Sequence, residues 1–437
     1  MNRLIKFLLI FSMLLSNGCT SSTDDNDGAI FGGKPNIILI IADDLGLDYS
    51  PNYINAGVKA KMPNIERLAK NGLTFQNVWS YPTCTPTRSS ILTGKYGFRT
   101  NVTKVGDVLS TDEIIIQKLL DRQKIGAYKS AVFGKWHVSK QQNHPANMGI
   151  KTYGGLLSGS APSYWDWNIT QNGETTRSKE YATTKFTNLA IDWIEEQENP
   201  WFLWLAYNAP HAPFHLPPAD LHSMGDLPSD EASVAANPVP YYMAMIESMD
   251  AEIGRLINSL SEQQRRNTTI IFIGDNGTPA EVAQLYPKSK SKGTIFQGGI
   301  NVPMIVSGRN VGRIGQSENA LIHVVDLFAT IADIAGVAEP VGMDSKSFKQ
   351  LLTNPDGPRR KFVYAENGKF NNPSDVTIRN QTHKYVKFTN GEEAFYNLVA
   401  NPYETQNLLT VSGGRLGELE QVYFDDLKQK LKDLRGW

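Results

Sequence analysis

Cysteine is nearly absent: Cys19 and Cys84 are the two in 437 residues. So few exclude a disulfide-stapled scaffold, and a chain of this length can rely on a core of its own. Excess charge is missing too. Lys and Arg number 43 against 44 Asp and Glu, a net charge of −1, which leaves no electrostatic footprint for nucleic acid. Long apolar runs are lacking: residues 7–15, near the start, are too few to span a bilayer. No internal repeat is visible. The one biased stretch, residues 20–33, is rich in Ser, Asp and Gly and reads as a flexible tether.

What is there is an alternation of short apolar runs with helical patterns. Residues 37–41 read Ile-Ile-Leu-Ile-Ile, and similar runs recur at 201–206, 269–273 and 302–306. A run without polar alternation suits a strand buried on both faces, as in a parallel sheet covered by helices. Helix-like stretches lie between them at 63–71, 183–196, 241–259 and 323–335. The fold class expected is α/β, a sandwich around a central, mostly parallel sheet. After residue 358 the texture changes to short alternating strands at 362–366, 376–379 and 384–388, an Asn390-Gly391 turn and a closing helix at 416–434. The organisation expected is a main domain over 34–358 and a small antiparallel subdomain over 359–437.

Ligand sites in such sheets lie beyond the carboxyl ends of the strands. Two apolar runs end in acids there, Asp43-Asp44 and Asp275-Asn276. Adjacent carboxylates repel and are costly to bury without a cation, and hard oxygens select Ca²⁺ or Mg²⁺. A second cluster is Lys135-Trp136-His137. In an extended segment Lys135 and His137 point the same way, which suits an anion beside a proton-transfer centre. The run Cys84-Thr85-Pro86-Thr87-Arg88, followed by Leu92-Thr93-Gly94, places the isolated thiol in a fixed pattern with proline and arginine.

Taken together these stretches resemble the formylglycine-dependent, type I sulfatases, from Pro35 to about Leu408. The resemblance rests on Asp43-Asp44, the Cys84 to Gly94 run, Gly134-Lys135-Trp136-His137, Asn208-Ala209-Pro210-His211, Asp275-Asn276-Gly277, and Lys292 ahead of Gly298-Gly299. It implies an alkaline-phosphatase-like fold with a smaller C-terminal sheet. It also implies that a formylglycine-generating or maturase enzyme oxidises Cys84 to an aldehyde, whose hydrate attacks sulfur. Asp43, Asp44, Asp275 and Asn276, with the Cys84-derived hydroxyl, would bind one cation, Ca²⁺ ahead of Mg²⁺. Arg88 would hold the hydrate, Lys135 and Lys292 the sulfuryl oxygens. His211 would protonate the leaving alcohol, and His137 would take the proton of the second hydroxyl as sulfate is expelled. Three positions depart from the family pattern. Thr87 stands for serine, Gln297 for glutamate and Asn301 for arginine, the last two expected as a neutral hydrogen-bonded substitute for an ion pair.

The start of the chain bears on location. Arg3 and Lys6, the apolar residues 7–15 and Ser16-Asn17-Gly18-Cys19 resemble a bacterial lipoprotein signal. Cys19 would then carry the lipid and anchor the protein in the outer membrane, on its surface or its periplasmic face; an ordinary cleaved signal leading to the periplasm is the other reading. An anchored exported hydrolase meets polymers, so the expected substrate is a sulfated carbohydrate attacked at a chain end, algal ahead of glycosaminoglycan. Trp165 and Trp167 flank Asp166. They either stack on a sugar ring or pack a loop onto the core. Two alternatives stand beside the sulfatase: a phosphoester or phosphonate hydrolase on the same scaffold, and a glycan-binding lipoprotein whose Cys84 stays a thiol.

Overall fold

A computed structural model describes residues 33–437, apart from 54–56, 123–126, 199, 339 and 370–371. The proposed leader, Cys19 and the tether up to residue 32 lie outside the described residues. Among the described residues no helix is long and apolar enough to cross a membrane.

Ten strands form one sheet: β1 (Asn36–Ala42), β2 (Gly72–Trp79), β3 (Lys129–Lys135), β4 (Thr152–Leu156), β5 (Trp167–Gln171), β6 (Glu174–Ser178), β7 (Trp201–Ala206), β8 (Thr268–Gly274), β9 (Met304–Gly308) and β10 (Gln316–His323). Their order across the sheet is β10-β2-β9-β8-β1-β7-β3-β4-β5-β6. The central run β8-β1-β7-β3-β4 is parallel throughout. β1 explains why its sequence shows no alternation. Ile37, Leu39 and Ile41 enter the core on one face while Ile38 and Ile40 enter the core on the other. The helices Ala182–Glu195 and Pro238–Ser259 cover the second face, contributing Phe186, Ile194, Tyr242, Ile246 and Ile253.

The apolar run at 302–306 is the exception to the expected topology. It forms β9, antiparallel to both β2 and β8. Burial on two faces makes a run apolar whichever way the strand points.

The smaller sheet, β11 (Val363–Lys369), β12 (Asn372–Arg379), β13 (His383–Lys387) and β14 (Glu393–Asn397), is antiparallel in sequence order. Tyr364, Ile378, Tyr385 and Phe395, with Leu427 and Leu431 of the closing helix Glu418–Arg435, join the same core as Ile37 and Val306. The two sheets thus share one hydrophobic interior.

Candidate active site

Register brings the acids together. β1 pairs with β8 from Asn36 opposite Thr268 to Ala42 opposite Gly274, so Asp43 and Asp275 leave the sheet side by side. On the other flank Ile41 lies opposite Ala206 of β7, and Ala206 lies opposite Gly134 of β3. The carboxyl ends of four neighbouring parallel strands therefore deliver Asp275 and Asn276, Asp43 and Asp44, the His211 loop, and Lys135 in that order. Only glycine fits at 134: its φ is +99°, and a Cβ there would lie 1.9 Å from the carbonyl oxygen of Ala206. Cys84 comes from outside the sheet, as first residue of the helix Cys84–Thr93, all ten residues of which are buried.

Arg88 organises the floor. Its Nε and Nη2 donate to Asp275 Oδ2 at 3.1 and 2.8 Å, and Nη1 donates to the carbonyl of Lys135 at 2.8 Å. Asp275 Oδ1 accepts from the backbone N–H of Asp44 at 3.0 Å. That bond helps hold Asp44 at φ 69°, in the left-handed region a non-glycine residue rarely visits. Lys135 donates to Asp43 Oδ2, and its ammonium lies 3.5 Å from Cys84 Sγ. Asp44 accepts from Asn276 Nδ2 at 2.8 Å and from Lys292 Nζ at 2.5 Å, and lies 3.7 Å from His211 Nε2. His211 Nδ1 donates to the carbonyl of Ala212 at 2.7 Å, which leaves Nε2 to face the centre.

Two buried oxygens in this cluster, Asp43 Oδ1 and Asn276 Oδ1, have no hydrogen-bond partner. Buried oxygens without a donor are costly. Hard and partly anionic, they fit a divalent cation. Ligand atoms of Asp43, Asp44, Cys84 and His211 all lie within 4.8 Å of one another. His211 thus stands closer to the cluster than expected, whereas both oxygens of Asp275 are already engaged by Arg88 and by the Asp44 backbone.

The buried charges at the centre shift one another's protonation. Burial pushes the Asp43 carboxyl up, but Lys135, His211 and Arg88 outweigh it and hold Asp43 well below the usual range. Asp275 goes the other way: burial and the neighbouring Asp43 raise it to about 7. Burial, followed by the cations Lys135 and Arg88, depresses His137 to about 2, so it is a neutral imidazole. Burial also raises the Cys84 thiol well above its ordinary value. An unmodified Cys84 is therefore a protonated thiol at neutral pH and a poor nucleophile.

His137 reaches the site by an unexpected route. The chain leaves β3 after Lys135, and His137 sits at φ 55°, so the two side chains converge by a turn rather than by strand alternation. Its ring is held against Gly159, where a Cβ would lie 2.4 Å from Nε2.

The reading of Trp167 as a substrate contact is corrected. It is 1 % exposed, opens β5, packs edge-on against Phe186 at 5.2 Å and donates Nε1–H to the carbonyl of Glu180 at 3.0 Å. It is a core residue. Trp165 is 43 % exposed and lies on Tyr181 at 4.8 Å, outside the lining of both cavities at the centre. His144 and His215 are structural: His144 accepts from Trp136 Nε1 at 3.1 Å, and His215 bonds Tyr181 at 3.0 Å. Gln297 accepts from Trp79 Nε1 at 2.7 Å and Asn301 from the Val78 N–H at 3.0 Å. The neutral replacement is hydrogen-bonded, each residue to its own partner.

One cavity, of about 560 Å³, opens over Cys84, His137, His211 and Lys292, and is walled by Val105, Asp107, Val108, Ser139 and Lys140. Sequence reading missed that wall. It consists of loop residues without a pattern of their own.

Comparison with known proteins follows the same lines. The family model described as Sulfatase matches residues 35–337, and one described as N-sulphoglucosamine sulphohydrolase, C-terminal, matches 290–436. An ulvan-active sulfatase of Formosa agariphila is 24 % identical over 93 % of this chain and 83 % of its own. N-acetylgalactosamine-6-sulfatase of Homo sapiens is 26 % identical over 70 % of this chain and 63 % of its own. The crystal structure of Ps i-CgsB superposes with a TM-score of 0.78 at 25 % identity, covering 92 % of each chain.

Proposed function

The chain belongs to the sulfatase family and hydrolyses sulfate esters of carbohydrates, and from that premise we propose an exported enzyme that works through formylglycine at Cys84 and a divalent cation. The observation that carries the reading is the meeting of Cys84 with Asp43, Asp44, Lys135, His211 and Lys292 beyond the carboxyl ends of β8, β1, β7 and β3. Asp43, Asp44, Asp275 and Asn276, with the Cys84-derived hydroxyl, would hold Ca²⁺ (Mg²⁺ less well), whose charge when bound draws electron density from the sulfate oxygens.

The protein's own residues do the rest. Lys135 and Lys292 bind the sulfuryl oxygens from two sides of Cys84, and Arg88 fixes the helix start that carries residue 84. Sugar alkoxides leave poorly, so His211 holds a proton at Nε2 and delivers it to the departing oxygen. His137, kept neutral by burial and by its cationic neighbours, accepts the proton released when sulfate is expelled. A thiol could not follow this course, having no second hydroxyl to lose its proton.

The substrate is a sulfated oligosaccharide attacked at its end, from algal polysaccharide ahead of glycosaminoglycan. The lipoprotein-like leader supports placement in the outer membrane through Cys19. Peptide mass spectrometry of active protein is expected to show aldehyde at Cys84, and oligosaccharides sulfated at the non-reducing end are expected to be desulfated. Full turnover by protein whose Cys84 is wholly thiol would overturn the mechanism. Efficient release from internal positions of intact polymer would overturn the end-on reading.

A further inference from the structure

The turn that carries His211 has little core of its own. Its imidazole is 19 % exposed, and Ala212 and Pro213 beside it are exposed. Hydrogen bonds set where this turn stands. The His211 N–H donates to the carbonyl of Asn208 at 2.8 Å, and the His211 carbonyl accepts from the hydroxyl of Tyr164 at 2.7 Å. Tyr164 is 2 % exposed and lines neither of the two cavities that meet at His211 and Lys292, of about 560 and 930 Å³. It therefore stands behind the acid and not against a bound ester.

Tyr164 is itself anchored. Its carbonyl accepts from the N–H of Ala182 at 2.9 Å, the first residue of the helix Ala182–Glu195, which buries Phe186, Ala190 and Ile194 in the core. Tyr181, the residue before that helix, braces the far end of the turn. Its hydroxyl donates to His215 Nε2 at 3.0 Å, while His215 Nδ1 donates to the carbonyl of Pro213 at 2.8 Å. The Tyr164 ring lies on the His215 imidazole at 4.4 Å. One helix start thus fixes both ends of the segment 211–215. Burial raises the Tyr164 hydroxyl well above its ordinary value and lowers His215 to about 4, so at neutral pH the phenol is a donor and the imidazole is neutral.

We propose that Tyr164 is a positioning residue for proton delivery: its hydroxyl, held on the helix start, fixes the backbone from which His211 Nε2 reaches the leaving oxygen. The proposal rests on the sulfatase reading and on His211 as its acid. A general acid works within about 2.6–3.2 Å of the oxygen it protonates, and a misplacement of about 1 Å can cost about a hundredfold. Without the hydroxyl the His211 carbonyl loses its donor, and the turn is free to shift toward solvent. Lys135, Lys292 and Cys84 stand on other elements with partners of their own. The loss therefore falls on the proton step, and its size follows how much the leaving group needs a proton. A residue that merely packed the core would weaken every substrate alike.

The test compares aldehyde-bearing wild type with Tyr164→Phe, which keeps the ring and removes the hydroxyl. The probes are 4-nitrophenyl sulfate, with an aryl leaving group, and N-acetylgalactosamine 6-sulfate and ulvan oligosaccharides, with sugar alkoxides. In Tyr164→Phe, kcat on the sugar esters should fall about tenfold or more, while kcat on 4-nitrophenyl sulfate stays within about threefold and KM for each within about twofold. Added to His211→Ala, the same substitution should cost nothing further. Equal losses on the two kinds of ester, no loss on either, or a full further loss on top of His211→Ala would overturn the assignment while leaving the sulfatase reading intact. Should Tyr164→Phe not fold by circular dichroism, Tyr181→Phe, which unties His215 instead, is read by the same criteria. If His211→Ala harms both kinds of ester equally, the acid itself is removed and the proposal falls with it. No sulfate release from any probe by the wild type would overturn both readings.

Discussion

Replacing Lys384 by methionine tests how the small sheet supports the active site. Lys384 lies on β13 with its side chain fully buried and pairs with Glu404 Oε1 at 2.5 Å. The same ammonium donates to the carbonyl of Ile295 at 2.7 Å and lies over the rings of Trp79 and Phe296 at 5.2 and 5.5 Å. Glu404 Oε2 accepts from the Gln297 N–H at 2.6 Å, and its carbonyl accepts from Lys290. The pair thus clamps the segment 290–297, which carries Lys292, against the smaller sheet. Lys384→Met leaves a fully buried carboxylate without its partner, a defect that costs about 3–5 kcal/mol. Replacing both members, Lys384→Met with Glu404→Gln, removes the uncompensated charge and should recover most of that loss. Urea unfolding of the wild type, both single variants and the double variant gives the cycle. KM for a sulfate ester should rise in Lys384→Met as Lys292 loses its support. A single variant within about 1 kcal/mol of wild type, or a double variant whose loss is the sum of the singles, would refute the clamp.

Three further outcomes follow from the site. Because Asp275 is raised to about 7, a cation must displace its proton below that pH; Ca²⁺ affinity measured calorimetrically should fall about tenfold per unit of acidification below pH 7 and level off above it. Gly159→Ala would thrust a Cβ to within 2.4 Å of His137 Nε2; kcat should drop by about two orders of magnitude with the fold retained by circular dichroism, and an unchanged kcat would remove His137 from the mechanism. His211→Ala should damage turnover of a sugar sulfate far more than that of an aryl sulfate, whose phenolate leaves unaided; equal losses would make His211 a binding residue only.

The centre of the fold was legible because burial there writes itself into sequence. β1, β7 and β8 appear as unbroken apolar runs, and the acids that follow two of them mark the ligand end of the sheet. Direction was not legible: β9 has the same texture as β8 yet runs antiparallel to it. The sequence left Trp167 open between platform and core because aromatic residues beside an acid look alike in both, and the structure places it in the core. The hairpin signal lay a few residues on, in Asn172-Gly173, where both residues adopt positive φ (48° and 93°) between β5 and β6. The Lys384–Glu404 clamp could not be seen at all. Its function depends on a segment about ninety residues earlier in the chain that only the fold brings alongside.

The charges at the centre explain why residues of such different kinds must act together. Arg88, Lys135 and Lys292 are met by Asp43, Asp44 and Asp275, each cation bonded to one of the carboxylates. The side chains alone therefore neutralise one another and offer a sulfate monoester little net attraction. A divalent cation among the carboxylates would change that balance. By engaging Asp43 and Asp44 it would loosen their hold on Lys135 and Lys292 and free both ammonium groups to turn toward the sulfuryl oxygens. Burial first, and then repulsion from Asp43, raises Asp275, and the same shift would relieve the second of these. Affinity for sulfate should then depend on the cation through the lysines as well as directly. In Lys292→Ala, Ca²⁺ should bind at least as tightly as in wild type, since Asp44 loses a competitor, while sulfate inhibits more weakly. Weaker Ca²⁺ binding in that variant would show that Lys292 supports the metal site instead of competing with it.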